Sequence, residues 1–349
     1  ASVIIGVDDK LYAARDKKGM RPLVVGRKDD TWMTASETLA FDKAGAEVER
    51  EVLPGEIVRF DEGGMTVVQQ GSKERQRECA WEGVYFMRGE SRSNPSPEDL
   101  PPTEWVENNV LRKSIGLQLA EEEKAREEHK RHTAEAAGLE YKPFKPDFVV
   151  GIPRSGIPFG EGYAEGMDVP HLKLIEKVSQ ERQFLDQDVS AIQSKVSDNL
   201  LIHEPDSWKG KVVVLVDDSI VRGSVSKGLT EALQELGAEV HWRSGLPMIM
   251  DTCHLGVSIR EEKELIAARN RGNENAIAEE IGAESVHYIT DEGFNKGRRG
   301  DLFVAPQDGE DVYKVNGLCG GCFSSGENDY AYNREAPRPE TDIFVSLRQ

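Results

Sequence analysis

With 349 residues, the chain is long enough for two domains, and 31% charged against 38% hydrophobic residues suits a soluble globular protein. A formal net charge of −19 argues against a general nucleic-acid or anionic-membrane surface, though not against a local basic pocket for a phosphorylated substrate. No apolar run reaches transmembrane length. Only four cysteines in a large acidic chain point to the cytoplasm, where metal ligation outranks disulfides as their purpose.

In chain order, residues 1 to about 70 read as all-β with tight turns. SVIIGV, KLYAAR, RPLVVGR and TWMTAS are short strands. Ser36 to Lys43 reads as a short helix with Ser36 as N-cap and Leu39 and Phe41 inward. VLPGEIVRF and MTVVQQ form a hairpin around DEGG. The proline-rich stretch Ser91–Pro102 is a linker or an irregular crossing. From Glu104 to about Leu139 the pattern is helical, with a solvated charge run, EEEKAREEHKR. The pattern then turns α/β. DFVVGIP, HLKLIEKV, KVVVLVDD and EVHWRSGLP are strands. SGIPFGEGYAEGM is a Gly-rich loop and helix, SKGLTEALQELG and EEKELIAARN are helices, and AIAEEIGAESVHYIT follows, an alternation that indicates a parallel, doubly wound sheet. The tail from about Glu327 is polar.

The stretch Lys211–Lys227 carries the sharpest chemistry. Val212 to Val216 are all apolar, and most are β-branched, so they read as a strand buried on both faces. Asp217 and Asp218 follow at once, then a hydroxyl-rich loop with Gly223 and a helix start near Ser226. Ligands of open α/β sheets sit at the carboxyl ends of strands, and an open helix end offers N–H groups to a phosphate. A plain strand-to-helix connection with an Asp cap is the alternative.

VVVLVDDSIVRGSVS resembles the ribose-phosphate motif of type I phosphoribosyltransferases, and more narrowly that of the amidophosphoribosyltransferases. ARDKKGMRPLVVG, CAWEGVYFMRGES, SGIPFGEGYAEG, KELIAARN and IGAESVHYIT are similar to further segments of that family. The resemblance implies an α/β protein: a type I phosphoribosyltransferase doubly wound parallel sheet, preceded by a partial Ntn-hydrolase (glutaminase-like) α+β segment. It divides the chain into 1–78, glutaminase-like; 79–326, phosphoribosyltransferase; and 327–349, a polar tail. The family's glutaminase begins with a cysteine nucleophile. Here Ala1 stands first, and residues 1–78 correspond to the second half of that domain. Glutaminase activity is therefore not expected from this chain alone. An apolar sheet face is expected to be covered by a partner chain, by self-association or by further sequence.

The resemblance also implies the activity: a pentosyltransferase that binds Mg2+–phosphoribosyl pyrophosphate and forms phosphoribosylamine with release of diphosphate, the first step of purine nucleotide synthesis. The nitrogen would come from ammonia, free or glutamine-derived, with a separate glutaminase-half chain as one source, and a homo-oligomer is expected; nucleic acid and membranes are not expected partners. Asp217 and Asp218 would face the ribose hydroxyls, directly or around Mg2+. Ser219, Ile220, Val221, Arg222, Gly223, Ser224, Val225 and Ser226 would hold the 5′-phosphate. Arg154, Ser155 and Gly156 follow the strand DFVV, where the family places a diphosphate loop, and Arg154 stands in its acidic position. In the segment that should close over the diphosphate, Arg182 and Phe184 are in register, while Glu176, Val178, Ile192 and Asn199 fall where basic residues are expected. That departure favours a second reading, a catalytically weak or inactive phosphoribose- or nucleotide-binding regulator.

CGGC, Cys319 to Cys322, is a ligand pair by spacing. By resemblance, Cys79 and Cys253 coincide with the other two cysteines of the family's iron–sulfur branch. The implied cofactors are a 4Fe–4S cluster on Cys79, Cys253, Cys319 and Cys322, and Mg2+. A four-thiolate zinc site uses the same residues.

Overall fold

Alternating apolar and polar residues build the first part of the chain into two facing antiparallel sheets. The structure, a computed structural model, describes residues 1–72, 76–94, 105–177, 200–259, 261–323 and 331. Strands β1 (Ser2–Val7), β2 (Lys10–Arg15), β6 (Ile57–Asp61) and β7 (Gly64–Gln69) form one sheet in the order β1-β2-β6-β7. Strands β3 (Val24–Lys28), β4 (Thr31–Ala35) and β5 (Glu47–Glu51) form the other, in the order β4-β3-β5. Ala13, Val58 and Phe60 from the first sheet pack with Val25 of the second and with Leu23 and Val52 beside it. Helix α1 (Leu39–Ala44) closes over β3 with Phe41 buried. Its cap is Thr38 and not Ser36, so the helix starts later than expected. The Thr38 hydroxyl is taken up elsewhere, accepting from the Arg92 amide at 2.7 Å. Arg15 is fully buried and serves the fold: its guanidinium binds Glu51 Oε2 at 2.9 Å and the carbonyls of Gly19, Arg21 and Val52. Ile4, Val7 and Val68 on the outer strands stay exposed.

The chain divides into two compact units: residues 1–108, 253–260 and 302–349, and residues 109–252 and 261–301. The first unit thus runs past the boundary expected after residue 78. The reason is local bonding: Ser91 and the Arg88 amide both donate to Glu37, and Arg92 pairs with Asp42. This unit also holds β8 (Glu78–Cys79), a π-helical turn (Glu82–Phe86), β9 (Arg92–Ser93), β10 (Val106–Glu107), the short helix α7 (Val312–Val315) and β17 (Leu318–Cys319). β17 pairs in parallel with β8, with Cys319 opposite Cys79.

The second unit is built on β11 (Phe148–Gly151), β14 (Val212–Asp217), β15 (Glu239–Ser244) and β16 (Ser285–Tyr288), all parallel and in that order. Val150, Val213, Leu215, Val240, Trp242 and Val286 pack with Leu229 and Leu233 of α4 (Ser224–Glu235) and Ile277 and Ile281 of α6 (Glu274–Ile281). Helices α2 (Asn108–Ala136) and α3 (Gly156–Met167) meet at glycines. A Cβ on Gly162 would lie 2.0 Å from the Lys113 carbonyl oxygen. Among the described residues no helix is long and apolar enough to cross a membrane.

Two segments depart from the sequence reading. HLKLIEKV gives only β12 (Ile175–Lys177), which pairs antiparallel with β13 (Leu200–Ile202) outside the parallel sheet. EEKELIAARN gives a 3-10 turn (Glu262–Glu264) and a four-residue helix, α5 (Ile266–Arg269), separated by an extended Leu265. Leu265, Ile266 and Ala267 are all buried, which no single helix face can supply.

Candidate functional site

The order of the parallel strands makes a crevice. After β11 and α3 the chain returns along one edge of β11, where His171 bridges Val149. β14 lies on the other side of β11. Neighbouring strands whose connections leave in opposite directions open a gap at their carboxyl ends, the usual ligand position in such sheets. Ser155 follows β11 and Asp218 follows β14, and the Ser155 hydroxyl donates to Asp218 Oδ2 across this gap.

Close packing beneath the crevice is enforced by glycine. A Cβ on Gly156 would lie 2.7 Å from the Val216 carbonyl oxygen and 3.1 Å from Asp217 Oδ1. The Pro153–Arg154 peptide that leads into this turn is cis. Arg154 itself is exposed.

The two carboxylates sit in an environment that resists their charge. Burial pushes Asp217 well above the ordinary carboxylate range, and the Asp218 charge adds to the rise. Burial also raises Asp218, against the pull of hydroxyls from Ser155 and Ser219 and of the Arg112 guanidinium. Ser219 Oγ donates to Asp218 Oδ1 at 2.7 Å, and the Asp218 amide donates to Asp217 Oδ1 at 2.8 Å. Two adjacent carboxylates held in this way are relieved by a divalent cation.

The loop after Asp218 is pinned from below. Ile220 is buried in the core, and its carbonyl accepts from the Tyr288 hydroxyl at 3.2 Å. The Ile266 amide donates to the Val221 carbonyl at 2.9 Å. Arg222 is engaged by Glu264 Oε2 at 2.6 Å. Gly223 caps α4 with φ +83° and no side chain, and a Cβ there would lie 2.4 Å from Ile266 Cδ1. The first-turn N–H groups of α4, from Ser224 to Ser226, have no intrahelical partners and meet no capping side chain. Unpaired N–H groups at a helix start are the kind of donor that suits an anion. Val225 packs against the core, so its side chain is turned to the fold and only its backbone is left for a ligand.

A second cluster lies in the first unit. Cys79, Cys319 and Cys322 are buried and Cys253 is half-buried. Burial pushes all three buried thiols up, and the neighbouring sulfurs push further: Cys319 on Cys79, Cys253 on Cys319, and both Cys253 and Cys319 on Cys322. Each sulfur accepts an N–H. Trp81 Nε1 donates to Cys322 at 3.3 Å, the Leu255 amide to Cys253 at 3.3 Å and the Ala331 amide to Cys319 at 3.3 Å. The backbone of Trp81 serves Cys79. Among the described residues no group of three or more His, Cys, Asp or Glu side chains is arranged to hold a metal ion.

Residues 120–245 match the phosphoribosyl transferase domain family. Over 93% of its length the chain is 32% identical to the amidophosphoribosyltransferase of Synechococcus elongatus, of which it covers 58%. It is 32% identical to that of Bacillus subtilis over 84% of its length, covering 56% of that protein. Among solved structures, glutamine phosphoribosylpyrophosphate amidotransferase from B. subtilis, complexed with ADP and GMP, superposes with a TM-score of 0.74 at 29% identity. The match covers 95% of this chain and 65% of that one. The chain spans rather more than half the length of the curated relatives it matches.

Against that family, the expected residues fall into three groups. Ser155, Gly156, Asp217, Asp218 and Ser219 meet in one crevice, with the backbone from Ile220 to Ser226 beside them. The Arg222 side chain is held by Glu264. Arg182, Phe184 and the segment 178–199 lie outside the described residues.

Arg112 is the contributor that sequence reasoning passed over. Its signal was present. Arg112 and Glu123 fall in phase with the buried stripe Leu111, Ile115 and Leu119 of α2, where a charge needs a partner. Glu123 pairs with the fully buried Arg243, and Arg112 acts on Asp218.

Proposed function

We propose that the second unit is a phosphoribosyltransferase that binds Mg2+–phosphoribosyl pyrophosphate and replaces diphosphate at ribose C1 with ammonia. The product is phosphoribosylamine, and the ammonia is free or released from glutamine elsewhere. The first unit then corresponds to the glutaminase-like segment, and the site of action is the cytoplasm. One observation carries this reading: the Ser155–Asp218 contact places the acidic pair and the open N-terminus of α4 on one crevice.

In this reading Asp217 and Asp218 bind the ribose hydroxyls and the Mg2+. The N–H groups of Ser224–Ser226 hold the 5′-phosphate, and Arg154 and the amides near Gly156 meet the diphosphate. Mg2+ would neutralise charge on the departing diphosphate. The protein's own task is to hold the sugar and the nitrogen in line and to stabilise the charge that develops. Ammonia needs no general base.

Cys79, Cys253, Cys319 and Cys322 would hold a structural 4Fe–4S cluster. What supports this reading is the chemistry of the donors: each of the four sulfurs accepts an N–H, as ligand thiolates of such clusters do. Protein purified without oxygen should be brown and hold about four irons per chain. A colourless protein with one zinc refutes the cluster.

Ammonia-dependent release of diphosphate from phosphoribosyl pyrophosphate and Mg2+ tests the activity. Binding of phosphoribosyl pyrophosphate without release supports the regulator reading, which Glu176, Val178, Ile192 and Asn199 at positions expected to be basic favour.

A further inference from the structure

We propose that His171 is a positioning residue for the loop 152–156: its imidazole replaces a neighbouring strand's carbonyl at the edge of β11 and holds that loop against the acidic pair. This rests on the reading of the loop as the diphosphate side of the site.

The edge of β11 sets the need. Successive residues of a strand turn their backbone groups to opposite edges. The Val149 amide donates to the Pro170 carbonyl at 2.9 Å, and the Leu172 amide donates back to the Val149 carbonyl at 2.9 Å. Gly151 turns its amide to this same edge. There it donates to His171 Nε2 at 3.2 Å instead of to a backbone carbonyl. On the opposite edge the Ile152 amide donates to the Val216 carbonyl of β14 at 2.8 Å. Pro153 follows and has no N–H to give. Gly151 and Ile152 are thus the last two amide anchors before the turn, one on each side, and the turn leads to the Ser155 hydroxyl on Asp218.

Space for the ring comes from α3. A Cβ on Gly160 would lie 2.8 Å from Gly151 Cα and 3.2 Å from His171 Nε2, so a glycine lets ring, helix and strand end meet. A backbone amide can only donate, so Nε2 must carry its lone pair and the ring must be neutral, with its proton on Nδ1. The surroundings agree. Burial pushes the His171 imidazole below its ordinary value, against the pull of Glu161 in α3 and with Lys173 adding to the fall. Gly151 is buried, and a buried amide without an acceptor is costly.

His171→Gln offers a carbonyl oxygen in place of Nε2, whereas His171→Phe keeps a ring that cannot accept. Titration calorimetry of the full chain with Mg2+ and phosphoribosyl pyrophosphate reads the difference. The Phe variant should bind about three- to tenfold more weakly, and the Gln variant within about twofold of the unsubstituted chain. A Phe variant that binds as tightly as the unsubstituted chain, or a Gln variant as weak as the Phe variant, overturns the proposal. The unsubstituted chain with ring-15N histidine gives a readout that needs no ligand, and it decides if the Phe variant does not fold. The His171 signal, assigned by its loss in the Gln variant, should be that of a neutral ring protonated on Nδ1 near neutral pH. A proton on Nε2 overturns the proposal and leaves the site reading standing. An unsubstituted chain that binds no phosphoribosyl pyrophosphate fails the site reading and the role of His171 in it, while the ring signal still reports the bond.

Discussion

The hydroxyl of Ser155 donates to Oδ2 of Asp218, although the two residues belong to the loops after different strands, β11 and β14. This bond ties the two walls of the crevice together. It also stabilises the Asp218 carboxylate against burial, which pushes its pKa up. Ser219 supports the other oxygen.

Ser155→Ala removes a bond to a charged acceptor, worth about 1.5–3 kcal/mol. Affinity for Mg2+–phosphoribosyl pyrophosphate should fall about tenfold or more, measured by titration calorimetry. Asp218 should need a higher pH to ionise, so the loss should be greater at pH 6 than at pH 8. An affinity within twofold of the unsubstituted chain at both pH values would show that the bond does not prepare the site.

The pH dependence of stability should reveal Asp217. Its folded pKa is raised by burial and by Asp218. The folded chain therefore keeps a proton that the unfolded chain has lost. Stability falls as pH rises from the ordinary carboxylate range through the raised value. Asp217→Asn removes this contribution. The ligand-free variant should melt a few degrees higher at pH 8 and no higher at pH 4, by calorimetric scanning. Adding Mg2+ and phosphoribosyl pyrophosphate should stabilise the unsubstituted chain and leave the variant nearly unmoved. A lower melting temperature for the variant at pH 8 would contradict the assignment.

Much of this site was legible because its parts are local. Val213 to Val216 form a continuous apolar strand, and the Asp pair, the glycine and the helix start follow within a few residues. The meeting of Ser155 with Asp218 was not legible, since it depends on β11 lying next to β14 in the sheet. Neither was the break at Leu265. There the Ile266 amide is drawn to the Val221 carbonyl and the side chain fills the space under Gly223, so tertiary contacts override a helical pattern. The start of α1 moved from Ser36 to Thr38 for a similar reason, a distant amide at Arg92.

Gly223 is required twice, by φ +83° and by the 2.4 Å approach of Ile266 Cδ1 to the place of a Cβ. Left-handed backbone costs a non-glycine residue about 1–2 kcal/mol. The crowded methyl is the far end of a flexible side chain, so it adds a smaller share. Gly223→Ala should lower stability by about 2–3 kcal/mol in urea unfolding and weaken phosphate binding at α4. Ile266→Val removes that methyl at a cost of about 0.5–1.5 kcal/mol by itself. The double variant should be more stable than the sum of the two losses allows, by about 0.5–1 kcal/mol. Strict additivity would mean that backbone strain alone makes the glycine necessary.

Thiol chemistry separates the metal-bound site from the stripped one. Burial raises the thiols of Cys79, Cys319 and Cys322, and Cys253 is the one cysteine with part of its surface open. Alkylation needs both thiolate and access. In chelator-stripped protein, iodoacetamide at pH 7.5 should label Cys253 first, with the other three following only as the first unit opens. In the metal-loaded protein none should be labelled on that timescale, because ligation occupies all four sulfurs. Tryptic mass mapping reads the order directly. Equal labelling of the four in both states would mean that the sulfurs do not serve a common centre. Protection of the CGGC pair alone, with Cys79 and Cys253 labelled in the loaded protein, would cut the ligand set to Cys319 and Cys322.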